Sequence, residues 1–416
     1  MGLDGFAINI GDPTGSWVAT NLQNLFTYAA SSYSGKFCLF ISMDFYALNN
    51  AGKKISDYSP HFTNYLGNDA WCKDSGSGKP IVSTFSDGGL LNTDFTSWKS
   101  TLPEPIYFMP DFDGTQGYYS AADGWWSYWG DVVDGLFSWE SAWPEVDSTT
   151  PQGDVSQDVT VMKGATSHSK GYMIAVSALQ YKDSYNTNEY RPGSLNLPNR
   201  MANVLAMSPQ PEYAEIITWN DAPESHYIGD AWPEANQDAQ PSLYTNSSHK
   251  GWAPLIRSFA EAFRSGGSAA SMAPQLADAT ASYKAVGSLW YKTIFQDTTC
   301  SGTGQYQVKP AGFDMSNDSA DWAVVVAAGQ TGLQARFLSN GVAINTTNLV
   351  PGLNKGETPS MTAGDQEMQV LDASGTVLYA TTAGRCPSHD CVDGIYNMNP
   401  QVVELVPAAN ARTSQC

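Results

Sequence analysis

Positive charge is scarce in this chain. Lysine and arginine together number 21 against 41 aspartates and glutamates, giving a formal net charge of -20. A field of that sign makes nucleic acid and anionic membrane poor partners. Charged residues of both signs still make up only 15% of the 416 residues, too few for a solvated acidic tail protein. Histidine is equally thin. The five present, His61, His168, His226, His249 and His389, show no metal-ligand spacing. There is no Gly-x-Ser-x-Gly elbow, no EF-hand loop and no glycine-rich phosphate loop after any strand-like run. Serine-triad hydrolysis, calcium sensing and nucleotide binding therefore lack their signatures. No apolar stretch approaches a transmembrane helix in length, and no repeat or low-complexity tract stands out.

What is abundant is aromatic. Phe, Trp and Tyr make up 12% of the chain, with 13 Trp and 21 Tyr, which suits a large core or stacking against sugar rings. The length favours two domains. Seven apolar β-type runs alternate with helical patterns: Leu3–Ile10, Lys36–Asp44, Pro80–Phe85, Ile106–Phe112, Gly135–Trp139, Tyr172–Ser177 and Tyr213–Trp219. Helical patterns fall at Ser16–Tyr33, Ile55–Leu66, Thr93–Leu102, Ala121–Asp131, Leu197–Met207 and Trp252–Arg264. This alternation predicts an α/β fold with a parallel sheet. Polar and aromatic residues collect at the C-terminal ends of the runs, where a (β/α)8 barrel keeps its chemistry. A closed barrel has eight strands, so the expectation is a (β/α)8-type barrel lacking its first strand–helix unit.

The predicted barrel covers residues 1–266, up to Gly266-Gly267. A helical connector over 267–299 follows, with its helix at Ser282–Phe295. A β-sandwich over 300–416 is read from short runs such as Trp322–Ala328, Gln334–Ser339, Met368–Leu371 and Val377–Ala380. Six cysteines, Cys38, Cys72, Cys300, Cys386, Cys391 and Cys416, are compatible with three disulfides. His389 lies between Cys386 and Cys391, but zinc would need a second ligand pair, so a disulfide from Cys300 to Cys386 or Cys391 is expected. Sequons at Asn246, Asn317 and Asn345 agree with a secretory route. No signal peptide is legible, because Met1-Gly2 runs straight into a strand-like segment. That start reads as a truncation or a processed end.

The densest chemistry is the loop Trp219-Asn220-Asp221-Ala222-Pro223-Glu224-Ser225-His226-Tyr227, just after the last β-type run. Two carboxylates three apart, beside an indole, an amide, an imidazole and a phenol, fit glycosidic bond cleavage. The competing reading is a solvated acidic loop at a helix start. Pro223 biases Ala222 towards extended geometry, which should hold the carboxyls apart at the ~6.5–9.5 Å of an inverting pair. Asp221 is then expected as base and Glu224 as the acid with a raised pKa, though the roles could be exchanged. Trp219 and Asn220 are candidates for ring stacking and a sugar hydroxyl. His226 and Tyr227 would bind hydroxyls or orient Glu224. Asp44 ends a run on the expected catalytic side, as a sugar acceptor or a reserve carboxylate. Asp111 has the same reading, or forms an Asx turn with Asp113. Glu140, next to Trp139 and close to Trp143, reads as a subsite wall. Tyr185, Tyr190 and Arg191 lie in a polar loop expected to cover the site.

These blocks together resemble the fungal α-1,3-glucanase (mutanase) family of glycoside hydrolases, family 71. The most specific is EIITWNDAPESHYIG at Glu215–Gly229. Supporting blocks are GLDGFAINIGD at the start, FISMDF at Phe40–Phe45, YFMPDFDG at Tyr107–Gly114, DGLFSWESAWP at Asp134–Pro144 and GIYNMNP at Gly394–Pro400. The resemblance implies an inverting hydrolase of α-1,3-glucan that uses Asp221 and Glu224 and needs no cofactor. Its partner would be the wall polysaccharide, and the protein would be a secreted monomer. The sequence departs from the family pattern at Asp111, often Asn, and in Ser86-Asp87-Gly88-Gly89. A non-catalytic glucan-binding protein on a degenerate barrel is the alternative, and a glycosidase of another α-glucan is a third reading.

Overall fold

The computed structural model describes residues 1–230, 247–278, 282–304 and 307–411. Its first part is α/β. Strands β1 (Gly5–Ile10), β2 (Cys38–Asp44), β3 (Ile81–Phe85) and β4 (Tyr107–Pro110) pair in parallel and in chain order. A parallel bridge from Asp111 to Phe137 carries the series on to β5 (Gly135–Ser138) and β6 (Gly171–Val176). The chain then inserts an antiparallel hairpin, β7 (Gln180–Ser184) and β8 (Thr187–Arg191), before β9 (Tyr213–Ile216) returns to pair with β6. All seven expected parallel runs form, with ends moved by a few residues. β6, GYMIAV, is buried along its whole length, as a strand covered on both faces must be.

Helices α1 (Ser16–Ser32), α2 (Phe45–Asn50), α3 (Ser59–Tyr65), α4 (Asn92–Lys99), α5 (Asp123–Trp129), α6 (Ser156–Ser167), α7 (Asn196–Ala206) and α8 (Ala253–Arg264) connect the strands. α1 buries Val18, Leu22, Phe26 and Ala29, the three- and four-residue spacing of one helix face. α8 starts with Pro254 in its first turn and buries Leu255, Ile256 and Phe259. Each such side chain contributes about 1.5–3 kcal/mol by leaving water. Cys38 and Cys72 form a disulfide across the start of β2. Gly5 faces that bridge closely: a Cβ there would sit 2.4 Å from the Cys38 carbonyl oxygen and 2.9 Å from its Sγ.

The second part is one antiparallel sheet. Its strands are β10 (Ala285–Tyr291), β11 (Ala320–Val326), β12 (Gln334–Ser339), β13 (Val342–Asn348), β14 (Gly352–Thr358), β15 (Gln366–Leu371), β16 (Val377–Thr381) and β17 (Gln401–Pro407). Their order is β13-β12-β15-β16-β17-β10-β11-β14. Trp322 on β11 and Phe337 on β12, near opposite ends of that order, have ring centroids 5.1 Å apart, so the sheet curls over its own core. The helix expected over Ser282–Phe295 is instead strand β10. All seven residues of β10 are buried, so the run lacks the alternation that marks a strand. Cys300 pairs with Cys391, within the expected alternatives, and Cys386 is also disulfide-bonded. Asn246 and Cys416 lie outside the described residues.

The two parts share one core. Ile174, Trp252 and Leu255 from the first belong to the same buried cluster as Val286, Trp290, Val325 and Met398 from the second. Polar ties cross the same boundary: Trp290 Nε1 donates to Ser194 O at 2.9 Å, and Tyr181 Oη donates to Tyr396 O at 2.8 Å.

Candidate active site

After β9 the chain makes a tight excursion. Its two legs pair: Thr218 N donates to His226 O (3.0 Å), Ile228 N to Thr218 O (3.0 Å) and Gly229 N to Trp219 O (3.1 Å). Residues 219–225 therefore stand at the tip. Within the tip, Ala222 N donates to Asn220 O (2.9 Å), Ser225 N to Ala222 O (3.1 Å) and Glu224 N to Asp221 Oδ1 (3.3 Å). Ser225 takes a left-handed φ of 60°, unusual for a non-glycine residue and typical of tightly constrained functional loops.

This turn overrules the extended spacer expected from Pro223. Asp221, Glu224 and His226 each bring one side-chain atom within 4.8 Å of the others. The nearest carboxylate oxygens are thus closer than the ~6.5 Å lower bound for an inverting pair. The reason is local: Asp221 accepts the Glu224 backbone amide, and His226 Nε2 lies within 4.0 Å of both carboxyls, which draws the two side chains together. His226 is buried. Its Nε2 donates to Glu224 Oε2 at 3.2 Å and lies 4.0 Å from Asp221 Oδ2, while Nδ1 is 3.1 Å from Thr218 Oγ1. Trp143 and Trp139 flank the imidazole, with ring centroids at 5.2 and 5.8 Å.

The hairpin supplies what the sequence reading missed. Gln180 and Lys182, two apart on β7, share one strand face. Gln180 Nε2 donates to Glu224 Oε2 at 2.6 Å, and Lys182 Nζ lies 2.7 Å from Glu224 Oε1. The β7 backbone also binds the loop, with Tyr181 N donating to Glu224 O at 3.1 Å and Asp183 N to Pro223 O at 3.4 Å. Arg191, on β8, binds Glu140 Oε2 at 2.6 Å. The expected covering loop is therefore a hydrogen-bonded hairpin whose tip, Tyr185-Asn186, has positive φ at both residues.

The two carboxyls ionise in opposite directions. Burial raises Asp221 to about 6, with Glu224 pushing the same way against His226 and Lys182. Asp221 keeps 34% of its side-chain surface accessible, so its enclosure is incomplete. Burial would raise Glu224 as well, but the hydrogen bond and charge of His226, together with Lys182, outweigh it. Glu224 is held well below the usual carboxylate range. This reverses the expected assignment, which put the raised carboxyl on Glu224. Asp221, Glu224 and His226 have the donor types of a metal site, yet the Lys182 ammonium already stands against Glu224 and repels a second cation.

The remaining candidates divide. Trp139 and Trp219 are half-buried and Asn220 is exposed, all beside the carboxyl loop. Trp219 packs on Phe6 at 5.6 Å. Glu140 keeps 38% of its side chain accessible, and burial raises it in spite of Arg191. Asp44 Oδ1 accepts Ala47 N at 2.8 Å and so caps α2. Burial raises its pKa, to which Glu224 adds. Asp111 is 2% exposed and accepts Asp113 N at 3.4 Å, so of its two readings the Asx turn is the one its geometry matches. One expectation is corrected. Tyr227 is buried against the second part: it stacks on His249 at 3.8 Å and accepts Asn399 Nδ2 at 3.0 Å.

One carboxyl poised to hold a proton, another held ionised beside it, and indole faces at their flank are the equipment of glycoside hydrolysis. The chain belongs to glycosyl hydrolase family 71, whose profile matches residues 1–415, and is a glycoside hydrolase. It is 29% identical to a mutanase of Penicillium rubens, over 97% of this chain and 82% of that protein. It is 27% identical to a glucan endo-1,3-alpha-glucosidase of Schizosaccharomyces pombe, over 96% and 86%. Among solved structures, an endo-alpha-mannosidase of family GH99 from Bacteroides thetaiotaomicron superposes with a TM-score of 0.43 at 10% identity, covering 64% of this chain and 81% of that one.

Proposed function

We propose that this chain hydrolyses α-1,3-linked glucan, with Asp221 as proton donor and Glu224 as the carboxylate that activates water. The opposite ionisation of the two groups carries the reading. In the step, the Asp221 proton passes to the glycosidic oxygen as the C1–O bond breaks, and Glu224 takes a proton from the attacking water. Trp139, Trp219, Asn220 and Glu140 would line the sugar path, with His226 orienting both acids. The names of the relatives in Penicillium and Schizosaccharomyces support the substrate. The disulfides support secretion to the wall. Among the described residues no helix is long and apolar enough to cross a membrane. We read the parallel strands β1 to β6 and β9 as belonging to a (β/α)8-type barrel, and the curled sheet as the sandwich.

Inversion, implied by the family, requires the substrate to part the two carboxyls, and the more accessible Asp221 is the side chain free to move. Incubation of the protein with α-1,3-glucan, starch and dextran tests the substrate. Sugar release from the first alone is expected, and binding without release would favour a lectin-like role. Asp221→Asn and Glu224→Gln should each abolish release, and full activity in either variant removes that residue. Proton NMR of the first-formed product should show the β anomer; an α anomer means retention.

A further inference from the structure

We propose that Lys182, seated on the inserted hairpin with Gln180, is a positioning residue of the hydrolytic site: it supplies the counter-charge of Glu224 and fixes where that carboxylate points. The inference deepens the reading given above and rests on it.

The geometry is specific. Glu224 Oε1 faces Lys182 Nζ at 2.7 Å, and Oε2 is shared by Gln180 Nε2 at 2.6 Å and His226 Nε2 at 3.2 Å. Both oxygens are therefore held, and rotation of the carboxylate breaks at least one contact. Lys182 is 24% and Glu224 14% accessible at the side chain, so the pair is shielded enough for its charge to count. The hairpin is itself clamped from behind. Tyr190 N donates to Ala311 O at 2.7 Å, Ala311 N to Asn188 O at 3.1 Å and Asn188 Nδ2 to Val308 O at 2.8 Å. Together with the Tyr181–Tyr396 bond, these fix β7 between the catalytic loop and the second part of the chain. The second part thus reaches Glu224 through one strand.

Other charged groups face this pair. Asp221 and His226 lie on the same loop, Asp44 acts on Glu224 from the end of β2, and Glu189 acts on Lys182 from β8. Among them Lys182 makes the shortest charged contact with Glu224. Removing its charge weakens the ionised form of Glu224, so a base that must be ionised is lost at a higher pH.

The test is the pH profile of kcat/KM on a soluble α-1,3-glucan oligosaccharide for wild type, Lys182→Met, Lys182→Arg and Glu224→Gln, with thermal unfolding of each as a folding control. Lys182→Met should move the acid limb upward by about one pH unit or more, a tenfold loss per unit on the acid side. Lys182→Arg should keep the limb near that of wild type. An unmoved limb in Lys182→Met, or equal losses in both lysine variants at every pH, overturns the proposal. Full activity in Glu224→Gln overturns the underlying role of Glu224 instead. Carboxyl ¹³C NMR of Glu224, assigned through Glu224→Gln, follows the same titration without turnover. An unshifted resonance midpoint in Lys182→Met is likewise fatal to the proposal.

Discussion

Arg200 on α7 is a costly side chain to remove, because its charge is enclosed and paired. It is fully buried and paired with Asp158, each side chain 1% accessible. Its guanidinium Nη2 reaches Asp158 Oδ1 and Oδ2 at 3.1 and 3.0 Å and Ser141 Oγ at 3.2 Å; Nη1 reaches Asp154 O at 2.7 Å, and Nε reaches Ala175 O. Asp158 also accepts Tyr172 Oη and Ser141 Oγ. Arg200→Met keeps much of the volume but leaves a carboxylate buried without its cation. Breaking a buried pair from one side costs about 3–5 kcal/mol, out of a total stability of order 5–15. With a urea slope of about 3 kcal/mol/M, the unfolding midpoint should fall by about 1–1.7 M at constant slope. Arg200→Met/Asp158→Leu should regain at least half of that, because the stranded charge is gone. A midpoint shift in the single variant below about 0.3 M at constant slope would refute the argument, since it would mean that the pair is not enclosed as described.

The other outcomes are as direct. If Asp221 must carry a proton, kcat/KM should fall as pH rises through about 6, the folded-state value of that group, and hold below it down to the acid limb set by Glu224; an alkaline limb above pH 8 in wild type contradicts Asp221 as donor. Cys38→Ser/Cys72→Ser opens a loop with a separation of 34 residues and should lower unfolding stability by about 4 kcal/mol on the chain-entropy argument. Denaturant midpoints of oxidised and variant protein measure it, and equal midpoints dismiss it.

Much of the parallel sheet was readable because its strands are short apolar runs punctuated by polar ends. The loop holding Asp221 and Glu224 was readable because of its unusual density of carboxyl, indole and imidazole groups. The hairpin was not. Lys182, Asp183 and Arg191 are polar, and only the packing of residues 308–313 and Tyr396 against them makes a buried strand pair of that stretch. Its turn also lacks glycine, the usual marker, and only Tyr181 breaks the polar run from Gln180 to Ser184. The ionisation of Glu224 was missed in part for the same reason: His226 stood in the loop already read, but Lys182 and Gln180 come from that hairpin. Asp111 takes the Asx-turn alternative of its two readings, whereas Tyr227 was misjudged because its burial is set by distant segments, through Asn399 and His249. Strand β10 was misread because complete burial erases periodicity.

The continuous cluster joining Trp252 and Leu255 to Trp290, Val325 and Met398 bears on how this protein can be divided. A shortened version ending after α8 would carry a raw apolar wound where the curled sheet once sat, and would lose the brace behind Lys182 as well. Such fragments should precipitate instead of serving as minimal enzymes. Transplanting the rear sheet onto another catalyst as an autonomous appendage should fail for the mirror reason: its own facing side was shaped as an inner wall.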